Sequence, residues 1–314
     1  AANTGSEGVG FAFRGTAPPG RRDWEGLLVQ EAFDTAQGYS PTPWVPPLDQ
    51  QFESAAIGSR KVTDALLLSP IDLPPEVDLY PGRIEARSAW LSAAYLFREA
   101  AWRVLEAAPE ELTAGFSPLP TPMGISGEIY LTDTLLNGAG YARYFKASER
   151  RLQELVDAVE ERTAAYGQHV GPDGQPCRGS CYACLQDWSN SRLHPLLDWR
   201  LACDMAELLL GRAFAPLRWS EHAEQAARAF AAGVPHWRDD LLAERPVLRS
   251  DRDNRVCVVV HPLEATSEAR RGPTLARVVA HAEATQADVR FCSWFNLIRT
   301  PGQALIALDS VGDA

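Results

Sequence analysis

No run in the 314 residues approaches the ~18 consecutive apolar positions that a bilayer-spanning helix requires. No charged segment followed by an apolar stretch marks a secretory signal. Both absences point to a soluble, cytoplasmic protein without a membrane partner. Basic residues are also short: 30 Lys and Arg face 41 Asp and Glu, giving a net charge of −11. A protein that wraps a phosphate backbone unaided is usually basic, so tight autonomous DNA binding is disfavoured. Six cysteines are too few for a disulfide scaffold of this length. There is no G-x-x-x-x-G-K-[ST] loop and no Asp-Glu-Ala-Asp or Asp-Glu-x-His motif, so the chain carries no ATP-hydrolysing motor of its own. No internal repeat is visible. The chain opens without Met on AANTGSEGVG, which reads as the interior of a longer protein or as a trimmed chain.

What is present is an ordinary globular composition, 46% hydrophobic and 23% charged. Residues 1–50 are rich in Pro and Gly and read as a loop-rich lead-in, with a short strand over 10–14. Residues 51–245 read as a mixed, mainly helical region. Strands are expected at 59–70 and 127–135, and helices at 83–108, 142–165, 196–210 and 220–232, the last with Ser220 as N-cap. Residues 246–314 read as a small α/β unit. In it the β-branched run 255–260 is a buried strand, 274–284 a helix, and 287–295 and 304–308 further strands. The expected fold class is mixed α/β, with a zinc-stapled helical centre between a strand-bearing N-terminal segment and that C-terminal unit.

Three of the six cysteines lie within eight residues, in C-RGS-C-YA-C. Cys181 and Cys184 form a C-x2-C pair, which grips one metal from a tight turn, and Gly179 permits the bend that brings Cys177 to the same ion. A redox dithiol ordinarily lacks a third nearby cysteine, so structural zinc is the reading. Tetrahedral closure needs a fourth ligand. His194, after the intervening LQDWSNSRL, is the first choice and Cys203 the second; Asp187 and His169 are remoter.

The segment SCYACLQDWSNSRLHPLLDWRLACDMAELLL (180–210) resembles the zinc-binding C-terminal domain of bacterial superfamily-two DEAD/DEAH-box helicases. That family includes the MrfA-type repair helicases and the helicase-associated proteins of phage-defence systems such as DISARM and Druantia. EIYLTDTLLNGAGYARYF (128–145) is similar to the strand and glycine turn preceding the family's cysteines. VCVVVHPLE (257–264) with FNLIRTP (295–301) is similar to the α/β tail of its defence-associated members. The resemblance covers roughly residues 55–310. It implies that Cys177, Cys181 and Cys184 are zinc ligands. Many members supply a fourth cysteine soon after the third; this chain has none there, and its SRLHPLLDWR favours His194. At Cys203 the related sequences carry an apolar residue. The implied role is an accessory one in DNA repair or antiviral defence, with the helicase motor in the same parent chain or on a partner subunit.

Other features read as structural. In DTLLNGAGY (133–141), Gly138 and Gly140 fit either a phosphate-binding turn or, preferably, a strand–helix turn needing positive φ, with Asp133 and Asn137 as turn and cap residues. His261 ends a buried strand without the His-x-Lys pair of a phospholipase-D-like nuclease, and reads as a satisfied core histidine. Arg270, Arg271 and Arg299 fit either a phosphate backbone or ordinary surface and interface roles. Trp188, Trp199, Trp219 and Trp237 suit base stacking or, preferably, burial around the metal knot.

Overall fold

A computed structural model describes residues 2–3, 57–58, 63–121, 124–135 and 138–310. The chain divides into two compact units, Ala1–Lys61 and Val62–Ala314. In the first, the described residues form one antiparallel pair, β1 (Ala2–Asn3) with β2 (Ile57–Gly58). The strand expected at 10–14 and nearly all of the 1–50 lead-in lie outside the described residues.

The second unit is mixed α/β and is built around α1 (Ile84–Val104). Ala86, Ala89, Ala93, Ala94, Ala100 and Ala101 are all buried, as are Trp90, Leu96 and Phe97. A helix buried on most of its circumference needs small residues wherever neighbours approach closely, and alanine also has the best helix propensity. Glu106, in the left-handed region at φ 50°, ends the helical path ahead of Pro109. One face of α1 covers a three-stranded antiparallel sheet of order β3–β5–β4: β3 (Ala65–Leu68), β5 (Gly124–Asp133) and β4 (Leu112–Thr121). The sequence reading missed β4 because it contains Pro118 and Pro120. Proline lacks the amide hydrogen that a central strand must donate, but β4 is an edge strand.

Against α1 also pack α3 (Glu149–Tyr166) and α4 (Trp199–Leu209). The single helix expected over 142–165 is two, α2 (Tyr141–Lys146) and α3. Ser148 takes extended φ/ψ between them, and its side chain accepts the Arg151 amide, a local cap that competes with continuous helix. After α5 (Ser220–Gly233), where Trp219 rather than Ser220 is the N-cap, the chain enters a four-stranded sheet of order β6–β7–β8–β9. Its strands are β6 (Trp237–Leu242), β7 (Arg245–Ser250), β8 (Arg255–Val260) and β9 (Asp288–Ser293). The four-stranded sheet therefore starts at Trp237. The β6–β7 turn places Ala243 and Glu244 at φ 47° and 67° with no Gly or Asn to announce it. Strands β8 and β9 run parallel, joined through α6 (Pro273–Glu283).

Two expectations in the tail are corrected. The strand expected to reach residue 295 stops at Ser293, whose hydroxyl accepts the Asn296 amide and caps α7 (Trp294–Arg299). The expected strand 304–308 is instead the interior of α8 (Pro301–Asp309). A short apolar run does not distinguish helix from strand; here Pro301 in the first turn and a run of Ala and Leu favour the helix.

Candidate metal centre

The cysteines lie in the long connection between α3 and α4, where the only regular element is the 3-10 helix Trp188–Leu196. The connection first folds into a small hairpin. Val170 pairs antiparallel with Pro176, the Gly171 amide donates to the Gln175 carbonyl at 2.7 Å, and Gly174 turns at φ 71°. Pairing 170 with 176 brings the flanking residues, His169 and Cys177, together at the mouth. Beyond it the chain turns again: the amides of Cys184 and Gln186 both donate to the Cys181 carbonyl at 3.0 Å, and the Cys181 amide donates to Cys184 Sγ at 3.1 Å.

These two turns converge. The donor atoms of His169, Cys177, Cys181 and Cys184 all lie within 4.8 Å of one another, and the three cysteines are buried. Cys181 Sγ and Cys184 Sγ are 3.8 Å apart. Two thiolates on a tetrahedral zinc with Zn–S bonds of ~2.3 Å would sit ~3.8 Å apart, so this spacing fits the ion. The imidazole supplies a second fit. His169 Nδ1 lies 2.5 Å from the Tyr166 carbonyl, which fixes Nδ1 as the donor and leaves Nε2 with its lone pair. Nε2 is buried and has no conventional hydrogen-bond partner. A metal is the natural acceptor of that lone pair. Trp199 backs the ring edge-on at 5.9 Å and donates from its indole to the Cys177 carbonyl at 3.0 Å.

The thiols are unequal. The facing Cys184 thiol holds Cys177 down at about 5 against the opposing effect of burial, with help from the Gly179 amide and His169. Burial raises Cys181, and the Cys177 thiol together with burial raises Cys184 far more. A bound cation would offset the burial that raises Cys181 and Cys184.

The fourth position is a correction: the structure brings His169 to the cysteines, not His194. His194 Nε2 is 2.8 Å from Asn190 Oδ1 and 3.0 Å from the Asp187 carbonyl. Asp187 caps the 3-10 helix, accepting the Ser189 and Asn190 amides at 2.6 and 3.1 Å, while its other oxygen binds Arg98. Asp187, Asn190 and His194 thus brace the loop from behind. Cys203 is buried in α4 with its thiol toward the Thr163 carbonyl, and burial pushes it up to about 12, so it stays a neutral core thiol. The sequence clue for His169 was the Asp173-Gly174 turn, which pairs its own flanks. At Gly179 a Cβ would displace the end of the Arg299 side chain and press on Asp198, so the glycine leaves room for that contact.

The remaining candidates resolve structurally. Gly138 and Gly140 have φ of 77° and 88°. The anion at the start of α2 is the protein's own: Asp133 accepts the amides of Gly140, Tyr141 and Ala142. Asn137 lies outside the described residues. His261 is buried, with Nε2 3.0 Å from Asp204 and Nδ1 accepting the Leu263 amide. Arg270, Arg271 and Arg299 each donate to backbone carbonyls, of Val77, Thr266 and Leu197 respectively. Trp199 and Trp237 are buried and Trp219 partly so, whereas Trp188 is 86% exposed, against the expectation of burial.

Comparison with protein-family models, curated proteins and solved structures returns no match. The class of site rests on geometry: a buried three-cysteine, one-histidine cluster suited to a metal ion, in a mixed α/β fold. No helix among the described residues is long and apolar enough to cross a membrane.

Proposed function

We propose that His169, Cys177, Cys181 and Cys184 hold one structural zinc ion, and that the chain is a cytoplasmic accessory module of a helicase-type protein in DNA repair or antiviral defence. In this reading it positions a motor, a DNA strand or a partner subunit. The observation that carries the zinc assignment is the convergence of four protein donors, including the orphaned His169 Nε2, within 4.8 Å. Four protein donors close a tetrahedral ion and leave no position for water or substrate, the hallmark of a structural site. The Tyr166 carbonyl sets the imidazole tautomer, and the two turns set the cysteines. Among the described residues no second group of three His, Cys, Asp or Glu lies within reach of one ion. The sequence resemblance at 128–145 and 180–210 supports the helicase association.

Elemental analysis tests the site. One zinc per chain is expected in wild type and in His194→Ala, with loss in Cys181→Ser and His169→Ala. Zinc lost from His194→Ala but retained in His169→Ala would overturn the ligand set. Turnover of ATP or metal-dependent DNA cleavage by the purified chain would overturn the accessory reading.

A further inference from the structure

Strands β8 and β9 run parallel and end side by side, at Val260 and Ser293. Ligands in α/β folds commonly sit outside the carboxyl ends of parallel strands. A small cavity lies at this edge. Its wall takes Val260 and His261 from the end of β8, Trp294 from the end of β9, and Arg245 from the start of β7. Ser220 and Ala223, from the first turn of α5, complete it. The space suits one group about the size of a water molecule.

The open polar atoms of this wall are donors. Trp294 is buried, and its one polar side-chain atom, the indole Nε1, has no hydrogen-bond partner among the described residues. Arg245 is equally buried. Its two Nη atoms donate to Glu264 at 2.8 and 2.7 Å, while Nε is left without an acceptor. No side chain caps the start of α5, so the first turn of that 14-residue helix adds partial positive charge.

The acceptors nearby are already engaged. Glu264 is held by the Arg245 fork and the His261 amide. Asp204 accepts from Trp219 Nε1, His261 Nε2 and Arg218. His261 Nδ1 accepts the Leu263 amide. A water molecule in the cavity would meet donors for its lone pairs but no open acceptor for its hydrogens. An anion needs donors alone, and buried N–H groups are costly to leave unmatched.

We propose that this cavity binds one small monoanion of halide size, such as chloride, through the Trp294 indole N–H, the Arg245 Nε–H and the first turn of α5. The ion ties α5 to the ends of β8 and β9. Phosphate and carboxylates exceed the space. The site shares no residue with the cysteine cluster, so it is independent of the metal assignment.

The test is thermal melting of the full chain as chloride replaces gluconate, an anion too large to enter. Constant ionic strength removes general screening from the comparison. The wild-type midpoint is expected to rise by about 2 °C and to level off as the site fills. Trp294→Phe keeps a ring against His222 and removes the N–H, so its midpoint is expected not to depend on chloride. Acetate is expected to leave wild type at its gluconate midpoint. A crystal of the wild-type chain grown in bromide is expected to show an anomalous peak within hydrogen-bond distance of Trp294 Nε1 and Arg245 Nε. Four results would each overturn the proposal: a wild-type midpoint indifferent to chloride, the same rise in Trp294→Phe, an equal rise with acetate, or a cavity that holds only water in bromide.

Discussion

Strand β8 and the connection between α3 and α4 become ordered by different means. Along β8, Val256, Val258 and Val260 face one way, onto Leu275, Val278 and Val279 of α6, while Cys257 and Val259 face the larger core that contains α1. Both faces are covered, so a continuous β-branched run is what the site requires. Residues 167–198 contain few apolar side chains that could do the same. Cys177, Cys181, Cys184, Leu185 and Leu197 are their main contribution to the core, and three of these are thiols. Where a segment cannot make an apolar face, convergent donors substitute for one, and the binding free energy of the ion becomes part of the folding free energy. The two regions should therefore respond to different perturbations.

The largest expected effect is removal of the metal. Structural zinc in isolated finger peptides contributes on the order of 10 kcal/mol. Chelation or Cys181→Ser is therefore expected to raise hydrogen exchange throughout residues 169–198 while the amides of β7 and β8 stay protected. Equal loss of protection in β8 would make the two regions one cooperative unit and end the comparison. Next in size is a cavity in the sheet. Leu275→Ala, at a fully buried site against β8, is expected to lower unfolding free energy by about 2 to 5 kcal/mol in denaturant titration. Its zinc content should not change. The smallest effect is acid sensitivity at His222, on α5, whose ring lies against Trp294 at 4.9 Å. Burial, with Arg200 and Arg299 nearby, pushes it from 6.5 down to about 3. As pH falls below 6.5 the unfolded chain takes up a proton that the folded chain refuses, so stability present above 6.5 is lost progressively toward 3. His222→Phe is expected to lose less stability than wild type across that window, as followed by thermal melts at each pH.

Legibility in the sequence followed locality. The run at 255–260 and helices α1, α4, α5 and α6 were readable because each carries its own period or β-branched run. Cys177, Cys181 and Cys184 were readable as a group because the C-x2-C spacing is itself the geometry. His169 was not, because its approach to Cys177 depends on the pairing of Val170 with Pro176 across a turn. Nearness along the chain favoured His194, which the fold commits to Asn190 and Asp187. Strand β4 was hidden by its prolines, and the β6–β7 hairpin by the absence of Gly or Asn at its positive-φ residues. The exposure of Trp188 was hidden too, since tryptophan beside a metal cluster is usually core.

Gly179 and Arg299 lie far apart in the chain, yet one occupies the space that a side chain on the other would need. The guanidinium rests where a Cβ would stand and donates to the Leu197 carbonyl. A side chain introduced at 179 therefore acts first on the guanidinium and only then on Asp198. It is accommodated by rotation of the flexible Arg299 side chain, which gives up its contact with the Leu197 carbonyl. The pair is a latch between the cysteine loop and the C-terminal helices, and a substitution at 179 loosens that latch first.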